Sequence, residues 1–359
     1  MSLHAAIGAE LAALGDLAPF DVHTHTGVDI DGTTRSSEEH LRDLEAVDGR
    51  SAIFPLCVTT GYGAENRRVL AECARASERL TPFARLDPRV EGAAAAADTL
   101  AAGAKGFKLH PRSEDFRLDH PGVDAIASVA AAARTPILIH AGLGVGSFGP
   151  TITALAARHP ACPIVLAHAA ISDLSWLWEE VPAHPNLFFD TSWWNPGDLI
   201  ALFSLVPPGR ILFGSDAPYM DFELILAITL RCARFAGLSP EAIGLVAGGQ
   251  LENLLAGETP IDAGPPPGAP QAAPSPLANR VATAIAATGA AKFSGGDPAQ
   301  MLEMARLALG DGSCVGESGP IVSDLLEQGA TVTQDALWAL ALAMTILATP
   351  GIESAAVAA

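Results

Sequence analysis

The sequence predicts an α/β fold, a (β/α)8 TIM barrel followed by an all-helical C-terminal extension. Short apolar runs that suit buried strands recur eight times, roughly 23 to 32 residues apart. A helix-like stretch follows each run, which is the rhythm of a (β/α)8 barrel over about 240 residues. Both patterns stop at a proline-rich segment, so the barrel is expected to span residues 1–257.

The predicted strands are mostly non-alternating, as parallel strands covered by helices are. They are Phe20–His25, Ala52–Thr59, Thr81–Leu86, Gly106–His110, Pro136–His140, Pro163–His168, Leu187–Thr191 and Arg210–Ser215. The predicted helices are Ser37–Ala46, Glu65–Leu80, Gly92–Ala102, Val123–Arg134, Thr151–Arg158, Leu174–Glu180, Pro196–Leu205 and Asp221–Phe235. The first of these has the best start signal, serines at 36 and 37 followed by two acidic residues. A doubly wound open sheet is the competing fold, but it rarely runs to eight units of this regularity.

The chain changes character after the predicted barrel. Residues 258–276 are rich in proline and are predicted to be a semi-rigid linker. Residues 277–359 are rich in alanine and contain no histidine. Helices are predicted there at Leu277–Ala291, Pro298–Leu309, Ile321–Gln328 and Thr333–Thr349. Oligomerisation or coverage of the barrel mouth are the roles considered for this module.

Composition restricts the partners. The formal net charge is -19 and hydrophobic residues make up 49% of the chain, so nucleic acid and anionic membranes are unfavourable partners. A small-molecule substrate is expected, and the sequence is compatible with a homo-oligomer. The five cysteines are widely spaced without a Cys-x-x-Cys pair, and the N-terminus lacks a signal-peptide pattern. We therefore expect reduced thiols and a cytoplasmic location. The apolar stretch Ala336–Leu347 is too short to span a bilayer.

Polar residues that can bind metal stand at the ends of the predicted strands. In a barrel these ends converge on one site. His23 and His25 are two residues apart, so both side chains leave the same face of their strand. His140, His168 and Asp216 end three further strands. Imidazole and carboxylate ligands without thiolate predict one divalent metal, Zn²⁺ first, with Mn²⁺, Fe²⁺ or Ni²⁺ as alternatives.

Seven phrases carry a family resemblance, in family order, across residues 18 to 256. They are FDVHTHTG (20–27), RLDP (85–88), GFKLHP (106–111), ILIHAG (137–142), IVLAHAA (164–170), NLFFDTS (186–192) and ILFGSDAP (211–218). The chain resembles the amidohydrolase-2 branch of the amidohydrolase superfamily, which contains metal-dependent TIM-barrel hydrolases and related decarboxylases. The resemblance implies that His23, His25, His140 and Asp216 are ligands, and that His168 is a further ligand or the proton shuttle.

Two positions depart from the family pattern. GGQLENLL (248–255) replaces the usual glycine-asparagine-alanine run after the last strand, which leaves that helix start uncertain. Lys108 ends the fourth strand, where some superfamily members carry a carboxylated lysine between two metals. One metal is the expectation here.

The ligand set predicts a hydrolase that uses a metal-activated water on an amide, lactone or ester-like bond. Asp216, His168 and Lys108 are the predicted catalytic residues, with Asp216 taking a proton from the water and His168 giving one to the leaving group. The predicted substrate-binding residues are His110, Arg112, Trp193 and Trp194. The alternatives are a non-oxidative decarboxylase of an aromatic or enoic acid, and a metal-poor barrel kept for assembly. The glycines of 142–149 match G-x-G-x-x-G, but no acidic residue ends the next strand, so a loop over the substrate is favoured over a dinucleotide site.

Overall fold

The structure, a computed structural model, describes residues 1–12, 17–293, 297–329 and 334–352. The described residues contain one nine-stranded sheet, in the order β2-β1-β3-β4-β5-β6-β7-β8-β9. Only the β1–β2 pair is antiparallel. The strands are β1 Phe20–Val28, β2 Thr34–Arg35, β3 Arg50–Pro55, β4 Leu80–Arg85, β5 Gly106–Leu109, β6 Ile137–Ile139, β7 Ile164–Leu166, β8 Leu187–Asp190 and β9 Ile211–Leu212. This is the α/β fold that the sequence predicts.

Helices follow the parallel strands and continue into the C-terminal region. They are α1 Leu3–Ala12, α2 Ser37–Ala46, α3 Gly63–Arg75, α4 Ala93–Ala101, α5 Pro121–Ala133, α6 Pro150–Arg158, α7 Leu174–Leu177, α8 Pro196–Leu205, α9 Phe222–Ala236, α10 Pro240–Gly244, α11 Gln250–Leu255, α12 Pro276–Phe293, α13 Ala299–Leu309, α14 Gly319–Gln328 and α15 Gln334–Ala348. The predicted start of the last helix at Thr333 lies outside the described residues. No helix within the described ranges is both long and apolar enough to cross a membrane.

The sheet curls until its first long strand meets the segment after its last strand. The Val22 N–H donates to the Phe213 carbonyl at 2.9 Å, and the His25 N–H donates to the Ala217 carbonyl at 2.7 Å. The Asp216 N–H donates to the His23 carbonyl at 2.8 Å. These bonds bring the carboxyl end of β1 beside the residues that follow β9.

Local sequence signals explain several element ends. The Ser36 hydroxyl accepts from the Glu39 N–H while the Glu39 carboxylate accepts from the Ser36 N–H, so the predicted start of α2 is a capping box. The helix predicted to reach Leu80 instead ends at Arg75. Leu80 is buried and pairs with Ser51 in the parallel ladder, so packing and pairing in the sheet prevail over helical propensity.

Residues 248–255, which depart from the family pattern, lie in an uninterrupted helical stretch. A π-turn over Leu245–Gly249 leads directly into α11. A Cβ on Gly248 would lie 2.9 Å from Phe20, so glycine permits the close approach to the base of β1. The Gln250 side chain bonds the Gly209 carbonyl and the backbone of Ile261. This anchors the start of the proline-rich segment, which contains no helix or strand before α12 begins at Pro276.

The C-terminal helices pack on the rest of the chain. α15 lies against α8 and α9, and α1 lies against α9, α14 and α15. Arg231 of α9 ties these parts together, because its buried guanidinium bonds Glu10 of α1, the Thr349 hydroxyl and the Ile352 carbonyl. Apolar residues of the C-terminal helices belong to the same buried cluster as the helices around the sheet.

Candidate active site

Three predicted metal ligands meet where β1 ends and β9 is followed by a turn. The Nε2 atoms of His23 and His25 lie 3.1 and 3.2 Å from the same oxygen, Oδ1 of Asp216. Both imidazoles are almost fully buried, whereas Asp216 keeps 14% of its side chain exposed. Donor atoms of one tetrahedral zinc ion lie about 3.3 Å apart for bonds near 2.0 Å. Each imidazole nitrogen is therefore about as far from the Asp216 oxygen as two ligand atoms of one zinc ion are from each other.

His168 and Asp216 are held in an unusual backbone conformation. Their φ angles are 59° and 62°, in the left-handed region that non-glycine residues seldom adopt. Such strain persists only where the surrounding structure imposes it, and it concentrates at functional sites. Among the described residues, one ligand atom each from His23, His168 and Asp216 lies within 4.8 Å of the others. This group contains His168 and does not contain His25 or His140, two of the four predicted ligands.

His140, the fourth predicted ligand, contacts His168. Its Nδ1 is 3.0 Å from His168 Nε2, while its Nε2 is 3.2 Å from the Leu143 carbonyl. His168 Nδ1 is 2.8 Å from the Ser192 carbonyl. A carbonyl only accepts, so the partners assign the proton of each neutral ring to the nitrogen that faces its carbonyl. Two lone pairs then face each other, an arrangement that a proton or a metal ion between the rings would stabilise.

Asp190, the last residue of β8, orients His23. Its Oδ2 accepts from His23 Nδ1 at 2.7 Å, and its Oδ1 accepts from the His168 N–H at 2.8 Å. Carboxylates that bond the far nitrogen of a histidine in this way fix the tautomer that presents a lone pair to a metal. The sequence reasoning gave Asp190 no role. The signal was present, because Asp190 ends a strand as the selected residues do.

The site holds an ionised carboxylate beside imidazoles whose protonation states differ. Burial opposes ionisation of Asp216, but the adjacent His23 and His25 hold its pKa well below the usual range. Burial opposes protonation of His23, as does Lys108, yet Asp216 and Asp190 raise its pKa. Burial lowers the pKa of His25 to about 3 and that of His140 to about 2. The ionised Asp216 and the neutral His25 and His140 therefore have the protonation states that metal ligands need, whereas His23 would have to give up a proton to bind a metal.

Lys108 is brought into the same group. Its Nζ lies 2.9 Å from His23 Nε2, and the side chain is fully buried. Burial lowers the pKa of Lys108 to about 7, so the amine exchanges its proton near neutral pH. Buried lysines of this kind can exchange protons with a substrate or be modified by it.

An open cavity of about 490 Å³ is lined by His25, His140, His168 and Asp216, whereas Lys108 and His23 lie buried behind its wall. The predicted substrate-binding residues His110, Arg112 and Trp193 line it, and Trp194 lies behind Trp193 with ring centroids 5.8 Å apart. His110 stacks on His140 with ring centroids 3.9 Å apart. Arg112 is exposed at the rim, where its guanidinium lies 3.4 Å from the Leu143 carbonyl.

A second buried set on the cavity wall also escaped the sequence reasoning. Arg85, the last residue of β4, forms a salt bridge with Glu114 at 2.7 Å, and the Tyr62 hydroxyl donates to the same carboxylate oxygen. Both charged side chains are at most 5% exposed. The phrase RLDP contains Arg85, but a strand-end arginine alone does not indicate its partner.

The fold and the site together define a class: an α/β enzyme whose strand ends carry histidines and an aspartate suited to a divalent metal. Consistent with this, the sequence model of the amidohydrolase family matches residues 33–249, more than half of the chain. The chain belongs to the amidohydrolase family, in its amidohydrolase-2 branch. A comparison with curated protein sequences finds no match.

Solved structures share the fold at low sequence identity. The 2,6-dihydroxybenzoate decarboxylase from Rhizobium is 14% identical with a TM-score of 0.51, covering 67% of this chain and 99% of its own. The dihydroxybenzoic acid decarboxylase from Polaromonas sp. JS666, which contains bound manganese and 2-nitroresorcinol, is 15% identical with a TM-score of 0.52, covering 67% and 97%. A probable 2-pyrone-4,6-dicarboxylic acid hydrolase from Acinetobacter baumannii is 12% identical with a TM-score of 0.50, covering 67% and 100%.

Proposed function

We propose that the protein is a metal-dependent hydrolase that cleaves an amide, lactone or ester-like bond of a small molecule with water. The observation that carries this proposal is the approach of His23 and His25 to one oxygen of Asp216, beside an open cavity. The family to which the chain belongs contains such hydrolases. The curled sheet is proposed to be a closed (β/α)8 barrel, a reading that the hydrogen bonds between β1 and residues 213–217 support.

One zinc ion is the proposed cofactor, held by His23, His25, His140 and Asp216. A donor set of imidazoles and a carboxylate suits zinc, and also manganese. When bound, such an ion supplies Lewis acidity that makes water more acidic and polarises a carbonyl group. The Leu143 carbonyl assigns the proton of neutral His140 to Nε2, so its Nδ1 keeps the lone pair that a metal ligand needs.

The residues of the chain move the protons. Asp216 is ionised at neutral pH and keeps part of its carboxylate exposed, so it is placed to accept a proton from the attacking water. His168 holds its Nδ1 proton against the Ser192 carbonyl, so its Nε2, which lies 3.0 Å from His140 Nδ1, is the nitrogen that can receive a proton and pass it to the leaving group. Lys108 and Arg112 supply positive charge for a substrate carboxylate or a developing oxyanion.

The test begins with metal content. Protein purified without added metal is expected to contain near one equivalent, and Asp216→Asn is expected to contain much less. Asp173→Asn is the matched control, because Asp173 is a buried carboxylate that bonds Ser147 and Trp176. Hydrolysis of a lactone panel that includes 2-pyrone-4,6-dicarboxylate then measures the reaction. Equal metal content in all three proteins, or none in any, would contradict the proposal.

Decarboxylation of an aromatic or enoic acid is the second candidate. Two of the three solved structures described above are dihydroxybenzoate decarboxylases, and their TM-scores are as high as that of the hydrolase. The same cations that neutralise an oxyanion would hold a substrate carboxylate. Release of CO₂ and resorcinol from 2,6-dihydroxybenzoate by the metal-loaded protein, without lactone hydrolysis, would decide for the lyase.

A further inference from the structure

A second, apolar cavity lies beside the catalytic cavity. Its volume is about 650 Å³. Leu143, Trp193, Tyr219 and Met220 line both cavities. Of these, Leu143 is 64% exposed and Tyr219 is 36% exposed, whereas Trp193 is 8% exposed. The two cavities are therefore neighbours that share these four side chains as a boundary.

The C-terminal helices supply the other side of this second cavity, which we call the apolar chamber. Ile285 and Gly289 of α12 line it, as do Trp338 and Met344 of α15. These helices lie beyond residue 249, where the match to the amidohydrolase family ends. The family-matched part of the chain thus supplies the polar catalytic groups, and the extension supplies apolar walls.

The chemistry of the chamber selects for apolar groups. None of the described residues that line it carries a charge. The indole N–H of Trp193 is already bonded to the Asp198 carboxylate at 2.7 Å, so this ring offers the chamber its apolar surface without an unmet donor. Cavities of this size and lining bind ligands mainly by removing apolar surface from water.

We propose that the substrate is amphipathic, with its reacting polar group at His25 and Asp216 and an alkyl or arylalkyl portion in the apolar chamber. This inference rests on the proposed function for the position of the polar group. It assigns the C-terminal helices the role of a specificity element. Compact polar acids would occupy the catalytic cavity alone and would gain nothing from α12 and α15.

The test measures the affinity of the full-length, zinc-loaded protein for acetate, butanoate, hexanoate and octanoate by isothermal titration calorimetry. Affinity is expected to rise by up to roughly fourfold for each added methylene that enters the chamber. A Cβ at Gly289 would meet no heavy atom within 4 Å, so Gly289→Leu extends into open space of the chamber. This variant is expected to bind octanoate at least tenfold more weakly and acetate as the wild type does.

Gly8→Leu is the matched control, since Gly8 also lies within a helix, α1, and has no heavy atom within 4 Å of an added Cβ. It is expected to leave the whole series unchanged. Leucine favours helix over glycine, so both variants should fold, and thermal unfolding checks this. Affinity that does not depend on chain length, or a dependence that Gly289→Leu leaves intact, would overturn the inference.

The same titrations on metal-free protein separate this inference from the proposed function. A chain-length dependence that persists without metal and is lost in Gly289→Leu supports the chamber. This holds even if the affinity for acetate is the same with and without metal, a result that would count only against the metal site. A dependence on metal without a dependence on chain length overturns the chamber and leaves the hydrolase proposal standing.

Discussion

At the scale of single residues, Asp190 decides which nitrogen of His23 carries the proton. Asp190→Asn would place an amide donor against His23 Nδ1, which favours the tautomer with its proton on Nε2, where the metal is proposed to bind. We expect metal affinity to fall by roughly 10- to 100-fold, as for other partners of metal-binding histidines. Competition with a chromogenic chelator measures this. Asp173→Asn should keep wild-type affinity, and an equal loss in both variants would contradict the role.

His40 is buried away from the candidate site, and no described residue bonds either of its ring nitrogens. Burial lowers its pKa to about 3. Because the unfolded chain takes up a proton near pH 6.5 and the folded chain does not, His40 destabilises the fold increasingly as the pH falls below 6.5. The cost reaches about 2 kcal/mol at pH 5.

His40→Leu removes this titration without breaking a hydrogen bond in the structure. The free energy of unfolding of the variant, relative to wild type, should therefore rise by about 2 kcal/mol between pH 7 and pH 5. Urea unfolding of both proteins at both pH values measures this difference in the free energy of unfolding. The contributions of the other histidines are the same in both proteins and cancel. A difference that stays constant with pH would show that His40 becomes protonated inside the fold.

At the scale of elements, the strand-to-loop junctions determine where the histidines lie. A Cβ on Gly142, just after β6, would lie 2.6 Å from the His168 ring and 3.2 Å from that of His140. Gly142→Ala should therefore displace His168, weaken metal binding and destabilise the fold by about 1–3 kcal/mol. Gly146→Ala in the same loop meets nothing within 4 Å and is the control. Wild-type metal affinity in Gly142→Ala would contradict this account.

The sequence predicted what depends on local signals and repeats. The start of α2 was readable from its capping residues, and the positions of the strands were readable from their apolar runs. The end of α3 was not, because Leu80 is committed to the sheet by pairing with β3, which is distant in sequence. The candidate site was predictable only in part for the same reason. The strand ends indicated which residues would lie near each other, whereas the hydrogen bond between His23 and Asp190 joins residues 167 positions apart and leaves no local signal.

At the scale of the whole molecule, one side chain connects the N-terminal helix, the helices around the sheet and the C-terminal helices. Arg231 is 1% exposed and bonds Glu10, which is 3% exposed. Its guanidinium also bonds Thr349 and Ile352, which follow α15. Residues of α15 line the apolar chamber, so this buried ion pair also bears on the substrate binding proposed there.

Arg231→Met should destabilise the protein by about 3–5 kcal/mol, because it leaves the Glu10 carboxylate buried without this cation. Arg231→Met combined with Glu10→Leu removes both charges and should recover most of that loss, since a well-packed apolar pair often replaces a buried ion pair at little cost. Urea unfolding of wild type, both single variants and the double variant measures the coupling between the two sites. If the losses of the two single variants are simply additive in the double variant, the Glu10–Arg231 pair does not couple the two sites, and this account of the ion pair is contradicted.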